Sequence, residues 1–195
     1  MGGLIAQIIM KVLIAENRKS YSGTEISSLW AYREFDIKED SIVAFRSPCR
    51  IELEHMIDLE DKKAEAEILS EDMLHFIVEH FDIVNLKLIY TRQRLLAALV
   101  REILEELSMK QITRKGDDLY HNNRKLSISI ASLSPVSAKI HFGINVSNRI
   151  YGSLEDLGIA DKADKLLKTI AERYAGEIED IEDDLRKTLP LDVIL

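Results

Sequence analysis

Residues that build special backbone or special chemistry are scarce in this chain: its 195 residues include one cysteine, three prolines and eight glycines, and aromatics make up 6 %. A single cysteine excludes an intramolecular disulfide framework and any zinc site made of cysteines, which fits a reducing compartment and predicts a cytoplasmic protein. No glycine occurs between Gly23 and Gly116. A loop that wraps phosphate in backbone amides through glycine-only conformations therefore cannot be built there, which leaves Arg46, Arg50, Arg92 and Arg94 as the side chains able to hold one. Positive charge is also short, with a formal net charge of -8 and a pI near 5.2. Broad, salt-dependent nucleic-acid binding needs clustered Lys and Arg and is not expected, although a local basic strip could still exist. The one long apolar run, Gly2 to Ala15, is too short to span a bilayer and lacks the positive region that precedes a secretory core. No membrane association is expected.

What is present is the composition of a soluble globular protein, 46 % hydrophobic and 31 % charged, long enough for one domain with a core of its own. Internal repeats, low-complexity tracts and linkers are absent. Lys11 to Ala15 reads as a buried strand, residues 1–10 as an N-terminal extension with Met10 a plausible alternative start, and 11–195 as one domain. Ser22-Gly23-Thr24-Glu25 has the form of a capping box and predicts a helix over 24–35 with Ile26, Leu29, Trp30 and Phe35 inward. Strands are predicted over 41–46, 51–58 and 86–91. Helices are predicted over 70–81 and over 93–109, the latter with Leu95, Leu96, Leu99, Val100, Ile103, Leu104 and Leu107 as its buried stripe. A C-terminal helix or helix pair is predicted over 154–188, with Asp161 as a candidate cap. This order implies an α+β domain: a mostly antiparallel sheet with helices on one face and the other face available to a ligand.

The segment from Gly116 to Ser129 carries the strongest local signal. Counted from Lys125, apolar Leu126, Ile128 and Ile130 alternate with Lys125, Ser127, Ser129 and Ala131, as in a half-buried strand. After a turn at Ser134-Pro135 the pattern resumes, with Ile140, Phe142, Ile144 and Val146 against Lys139, His141, Gly143 and Asn145. The two runs form a hairpin. A register that pairs Lys125 with Asn145 sets Ser127 beside Gly143 and Ser129 beside His141 on one face. Such a face suits a carboxylate or other anion: lysine supplies charge, serine and asparagine supply directional hydrogen bonds, and glycine allows close approach. The same alternation also describes an ordinary solvated sheet surface.

These residues resemble the central motif of biotin and lipoate protein ligases. In those families an Asn-Asp-Leu turn is followed, seven residues after its Asp, by the Lys of a Lys-(Leu/Ile)-(Ser/Ala)-Gly strand, and Asp118 and Lys125 keep that offset. Gly143-Ile144-Asn145-Val146 is similar to the next strand of biotin ligases, and His141-Phe142-Gly143 to that of lipoate ligases. The resemblance is close over about residues 114 to 148 and implies the biotin/lipoate ligase fold, shared with class II aminoacyl-tRNA synthetases, in a divergent and uncharacterised family of archaeal type. It implies Lys125 and Asp118 as catalytic residues, beside which Ser127, Ser129, His141, Gly143 and Asn145 of the hairpin face and the phosphate-capable Arg46 are the candidate ligand-binding ones. It also implies a small carboxylic acid or its adenylate as ligand, and a carrier protein whose lysine accepts the acyl group. Lys125 would steady negative charge on carboxylate and phosphate oxygens, while Asp118 would hold Lys125, a metal or the carrier's amine, or simply form the turn before a strand.

The departures bear on the same functions. Biotin ligases carry a Gly-Arg-Gly-Arg loop and lipoate ligases an Arg-Arg-x-x-Gly-Gly-Gly loop upstream of the motif, and nothing comparable is present here, so ATP use is doubtful. Ile128 stands where the family has glycine, and Asp117 where it has asparagine. Cys49 lies far upstream of the position used by related octanoyltransferases and reads as a buried, inert thiol. A non-catalytic ligand- or protein-binding module on the same fold is the alternative, and a homodimer covering the open sheet face is a further one. No metal ligand set is assigned: His75 and His80 flank Glu79, but on a helix residues five apart point about 140° from each other. Glu52, Glu54, His55, Asp58, Glu60 and Asp61 could hold a divalent cation or form a solvated acidic strand end. Trp30, Tyr32 and Arg33 could stack on a base or pack as a helix face.

Overall fold

In a computed structural model the described residues are 10–16, 18–63 and 68–189; the predicted extension falls outside them except for Met10, which is buried in the main core. Five strands form one sheet: β1 (Lys11–Ile14), β2 (Ser41–Ile51), β3 (Ile68–His80), β7 (Ser127–Leu133) and β8 (Ala138–Ser147). Their order is β1-β2-β3-β8-β7, with β1 parallel to β2 and every other pair antiparallel. A small second sheet is made of β4 (Thr113–Lys115), β5 (Asp118–His121) and β6 (Arg124–Lys125). Its turns use the left-handed region at Gly116, Asn122 and Asn123, conformations that glycine and asparagine tolerate best.

The helices are α1 (Trp30–Phe35), α2 (Leu59–Lys63), α3 (Leu86–Ser108), α4 (Leu154–Leu157) and α5 (Ala163–Lys187). The two long ones, α3 and α5, lie on one face of the sheet. Leu96, Val100, Ile103 and Leu104 of α3, with Leu166, Ile170 and Tyr174 of α5, meet Ile42, Phe76, Val78, Phe142 and Ile144 from the strands. The opposite face has a core of its own, in which Tyr21, Trp30 and Ile37 pack on Val43, Phe45, Met73 and Ile77. The α+β class and the helices on one face are as the sequence implied, but the second face is partly roofed by residues 21–37.

Several elements differ from the sequence reading. Residues 70–80 form part of a strand, β3, not a helix: this central strand is buried on both faces, so its run Met73 to Val78 is apolar but for His75 and mimics a buried helix. Residues 86–91 are the first turns of α3, started by Asn85, whose side chain accepts the Leu88 amide at 3.0 Å. Residues 52–58 are no strand; β2 runs through Pro48 to Ile51 with a bulge between Ser47 and Cys49, and a short 3-10 turn (Leu53–His55) follows. The helix over 24–35 is split into a 3-10 turn (Thr24–Ile26) and α1 by Leu29 at φ 59°. Lys11–Ile14 is a partly exposed edge strand. In the C-terminal region Gly158 at φ 73° ends α4, and Asp161 sits inside a 3-10 turn (Ala160–Lys162), not at the cap of α5. Among the described residues no helix is long and apolar enough to cross a membrane.

Candidate functional site

The hairpin predicted from the sequence is present, but its register is one residue away from the predicted one: Ser127 pairs with Ile144, Ile128 with Gly143, Ser129 with Phe142 and Ile130 with His141. The cause is local. The chain leaves strand conformation at Leu126, whose amide bonds back to the Leu119 carbonyl at 2.7 Å, so alternation counted straight through from Lys125 runs one residue out of phase. A slip of one residue turns every side chain of the strand over. Ser127, Ser129 and Ala131 thus face the helices, and Ile128 and Ile130 face the roofed side. The inward serines are satisfied: Ser127 Oγ accepts the Leu119 amide at 2.9 Å, and Ser129 Oγ accepts from Gln93 Nε2 at 2.8 Å and donates to the His141 carbonyl at 3.0 Å.

Between β7 and the roof lies a cavity of about 340 Å³. Its walls are mixed: Ile26, Ile51, Met56, Ile57, Ile128 and Ile130 supply an apolar part, His55 and Asp58 add polar groups, and Tyr21 and His141 form its deepest polar part. Asp117, Asp118 and Lys125 line it at the more exposed side. Lys125 Nζ and Asp118 Oδ1 are 2.9 Å apart. Burial tends to lower the Lys125 pKa, but the hydrogen bond and charge of Asp118 outweigh it and the net shift is upward, so the ammonium is a fixed positive charge. Asp117 is held by α3, through Gln93 Nε2 at 2.9 Å and an ion pair with Arg94.

Of the residues singled out in the sequence, Lys125, Asp118, Ser129 and His141 line this cavity; Ser127, Gly143, Asn145 and Arg46 do not. The space above Gly143 is occupied, since a Cβ there would come within 2.6 Å of Met73 Sδ and 3.0 Å of Ile128 Cγ1. Asn145 is buried and donates to the Gly152 carbonyl at 3.0 Å. Arg46 lies on the helix side, doubly hydrogen-bonded to Asp72 at 2.8 and 2.7 Å and 3.6 Å from Asp164 of α5. Cys49 is buried, and burial pushes its thiol up to about 12, so it is not a thiolate at neutral pH.

Sequence reasoning missed the polar system beneath the cavity. His75 and His141, on adjacent strands, are hydrogen-bonded ring to ring at 3.1 Å, and Tyr21 stacks on His141 with centroids 3.9 Å apart. Burial lowers the pKa of both, that of His75 to about 3, so both rings are neutral. Further along the same face Glu79 and Lys139 form an ion pair of 2.9 Å, each 1 % exposed, and Glu79 also accepts the Leu29 amide and the Ser137 hydroxyl. The signal lay in the polar residues of β3 and β8 at alternate positions, hidden once 70–81 was read as a helix.

His75 and His80, five apart, face opposite sides of β3. His80 bonds Asp40 at 2.7 Å and Tyr174 at 3.0 Å on the helix side. Among the described residues the one cluster with metal-ligand spacing is Asp40, His80 and Asp82. It is internally satisfied, because Asp82 is doubly bonded to Arg92 and Asp40 also accepts the Phe81 amide.

The fold is that of the biotin/lipoate protein ligases. A biotin protein ligase from Aquifex aeolicus in complex with biotin and ATP superposes with a TM-score of 0.58 at 18 % identity, covering 87 % of this chain and 72 % of that one. A candidate lipoate protein ligase from T. acidophilum gives 0.55 at 13 % identity, covering 86 % and 84 %. At these identities the likeness is one of fold. The chain belongs to the family described as Domain of unknown function (DUF366), which matches residues 10–189. An uncharacterised protein of Methanocaldococcus jannaschii is 50 % identical over 192 residues, 93 % of this chain and 86 % of its own length. A protein of unknown function from Pyrococcus horikoshi has the same fold with a TM-score of 0.87 at 40 % identity, covering 93 % of this chain and 99 % of that one.

Proposed function

We propose that the cavity between β7 and the roof binds a small carboxylic acid with an apolar body. The observation that carries this reading is the fixed charge of Lys125 at the side of a cavity of about 340 Å³ whose wall also presents the isoleucines Ile26, Ile51, Ile128 and Ile130. A concavity that joins apolar side chains to a placed charge is a usual form of small-molecule site. Asp118 orients the ammonium and is displaced from one of its hydrogen-bonding positions when a carboxylate arrives. Binding without turnover is the reading favoured here. Of the four arginines able to hold phosphate, Arg46, Arg92 and Arg94 are committed to Asp72, Asp82 and Asp117, and none of the four lines the cavity. The second reading, activation of the acid as an adenylate or acyl transfer to the lysine of a carrier protein, draws its support from the Asp118–Lys125 spacing and from the fold.

The test is a thermal-shift titration with octanoate, lipoate and biotin, with and without ATP, on the natural protein and on Lys125→Ala. Ligands of the native state raise its stability by mass action. A shift with the acid alone that disappears in Lys125→Ala supports the proposal. No shift with any acid overturns it, and an acyl-adenylate detected by mass spectrometry moves the reading to catalysis.

A further inference from the structure

We infer that the His75–His141 pair presents a bare imidazole nitrogen to the cavity, so that the site selects acids whose apolar body carries a neutral hydrogen-bond donor, a hydroxyl or an amide N–H. This rests on the acid-binding reading above and deepens it.

The protons of the pair can be placed in sequence from one fixed end. His75 Nε2 lies 3.2 Å from the Ser47 carbonyl oxygen. A carbonyl can only accept, so His75 carries its proton on Nε2. The ring is neutral, burial having lowered its pKa to about 3, and its Nδ1 therefore has a lone pair. That Nδ1 is 3.1 Å from His141 Nε2, so His141 must donate from Nε2. His141 is neutral as well, held so first by burial and then by its neighbour His75. Its own Nδ1 is therefore bare, and among the described residues it has no hydrogen-bond partner.

The direction of that nitrogen follows from the strand order. β8 lies between β3 and β7. His141 turns Nε2 toward His75 on β3, whereas the cavity is walled by Ile128 and Ile130 of β7, and Ile130 is the residue opposite His141. Nδ1 is the ring nitrogen on the cavity side. Tyr21 covers one face of the ring at an interplanar angle of 14° and also stacks on His75 at 4.9 Å, so the imidazoles cannot swing away to find another partner. His141 is 1 % exposed. A ligand that fills the cavity takes water away from this nitrogen; one that supplies a donor replaces that hydrogen bond, whereas a purely alkyl ligand leaves the acceptor unpaired. Lys125 thus selects for charge at the exposed side and His141 for a donor at depth.

Two measurements test this. In long-range nitrogen-proton NMR spectra of the unliganded protein, both His75 and His141 should appear as neutral rings protonated at Nε2 with bare Nδ1; a proton on Nδ1 of His141 overturns the inference whatever the ligand. In calorimetry, octanoic acid is compared with its positional series of monohydroxy derivatives. At least one hydroxylated isomer should bind roughly three- to tenfold tighter than octanoic acid, the effect of one hydrogen bond to a buried neutral acceptor. That preference should be lost in His141→Phe. Equal binding of octanoic acid and every isomer overturns the donor selection and leaves the acid-binding site standing. Failure of all of them to bind overturns both.

Discussion

His75 is the residue on which most of the site's order converges. It donates to Ser47, accepts from His141 and is stacked between Tyr21 and Phe45, at 4.9 and 5.0 Å. Burial is the largest cause of its lowered pKa, and the Ser47 carbonyl and Asp72 only partly oppose it. The folded state therefore leaves this ring neutral down to about 3, while the unfolded chain takes up a proton near 6.5. Between those values the unfolded state binds more protons, so stability rises with pH and is lost as pH falls through the window. The contribution is about 1.4 kcal/mol per pH unit from this one ring, and His141 acts in the same direction. Urea unfolding of the natural protein and of His75→Gln between pH 6.5 and 3 isolates it from the carboxylates, which both proteins share. The variant should show the shallower dependence; parallel curves would mean that His75 is not held neutral by the fold.

At the scale of elements, α3 does two things: it covers the sheet, and through Gln93 and Arg94 it anchors the Asp117 turn at the rim of the cavity. Its start depends on Asn85, which satisfies one of the first-turn amides left over by helical hydrogen bonding. Asn85→Ala should therefore lower the unfolding free energy by about 1 kcal/mol and leave acid binding unchanged, because the cap is two turns away from Gln93. An unchanged denaturation midpoint would show that packing alone sets the start of this helix. The stripe Leu96, Val100, Ile103 and Leu104 was plain in the sequence because α3 has one buried side and one wet side, so its period is visible. The alternation of β8 was plain as well, since its polar positions are buried against other polar groups and still alternate. β3 was illegible for the opposite reason: its buried polar residues fall on both faces, His75 and Glu79 on one and His80 on the other, and blur the alternation. The register of β7 was lost to one irregular residue, Leu126, which sequence alternation cannot reveal. The motif spacing brought Asp118 and Lys125 together correctly because it spans a short hairpin turn, whereas the His75–His141 contact joins strands 66 residues apart and leaves no local trace.

For the whole molecule, the sheet separates a core that holds the fold from a core that holds the site. Leu96 belongs to the first and is fully buried against helix and sheet; Phe45 belongs to the second, equally buried, and stacks on His75. Truncating either leaves a cavity in a close-packed interior, so Leu96→Ala and Phe45→Ala should each cost about 2–5 kcal/mol of stability. Their effects on binding should differ. Phe45 fixes the plane of His75, His75 fixes the proton of His141, and His141 lines the cavity. Calorimetry well below both unfolding midpoints should find the acid affinity of Leu96→Ala unchanged and that of Phe45→Ala reduced, with the loss greatest for ligands that carry a donor. Equal losses in the two variants would show the sheet transmitting disorder from either face, and the division into a supporting core and a binding core would then be wrong. If the losses divide as expected, the roof formed by residues 21–37 is part of the binding apparatus, because it supplies Tyr21 and Trp30 to the same core and closes the face that the helices leave open.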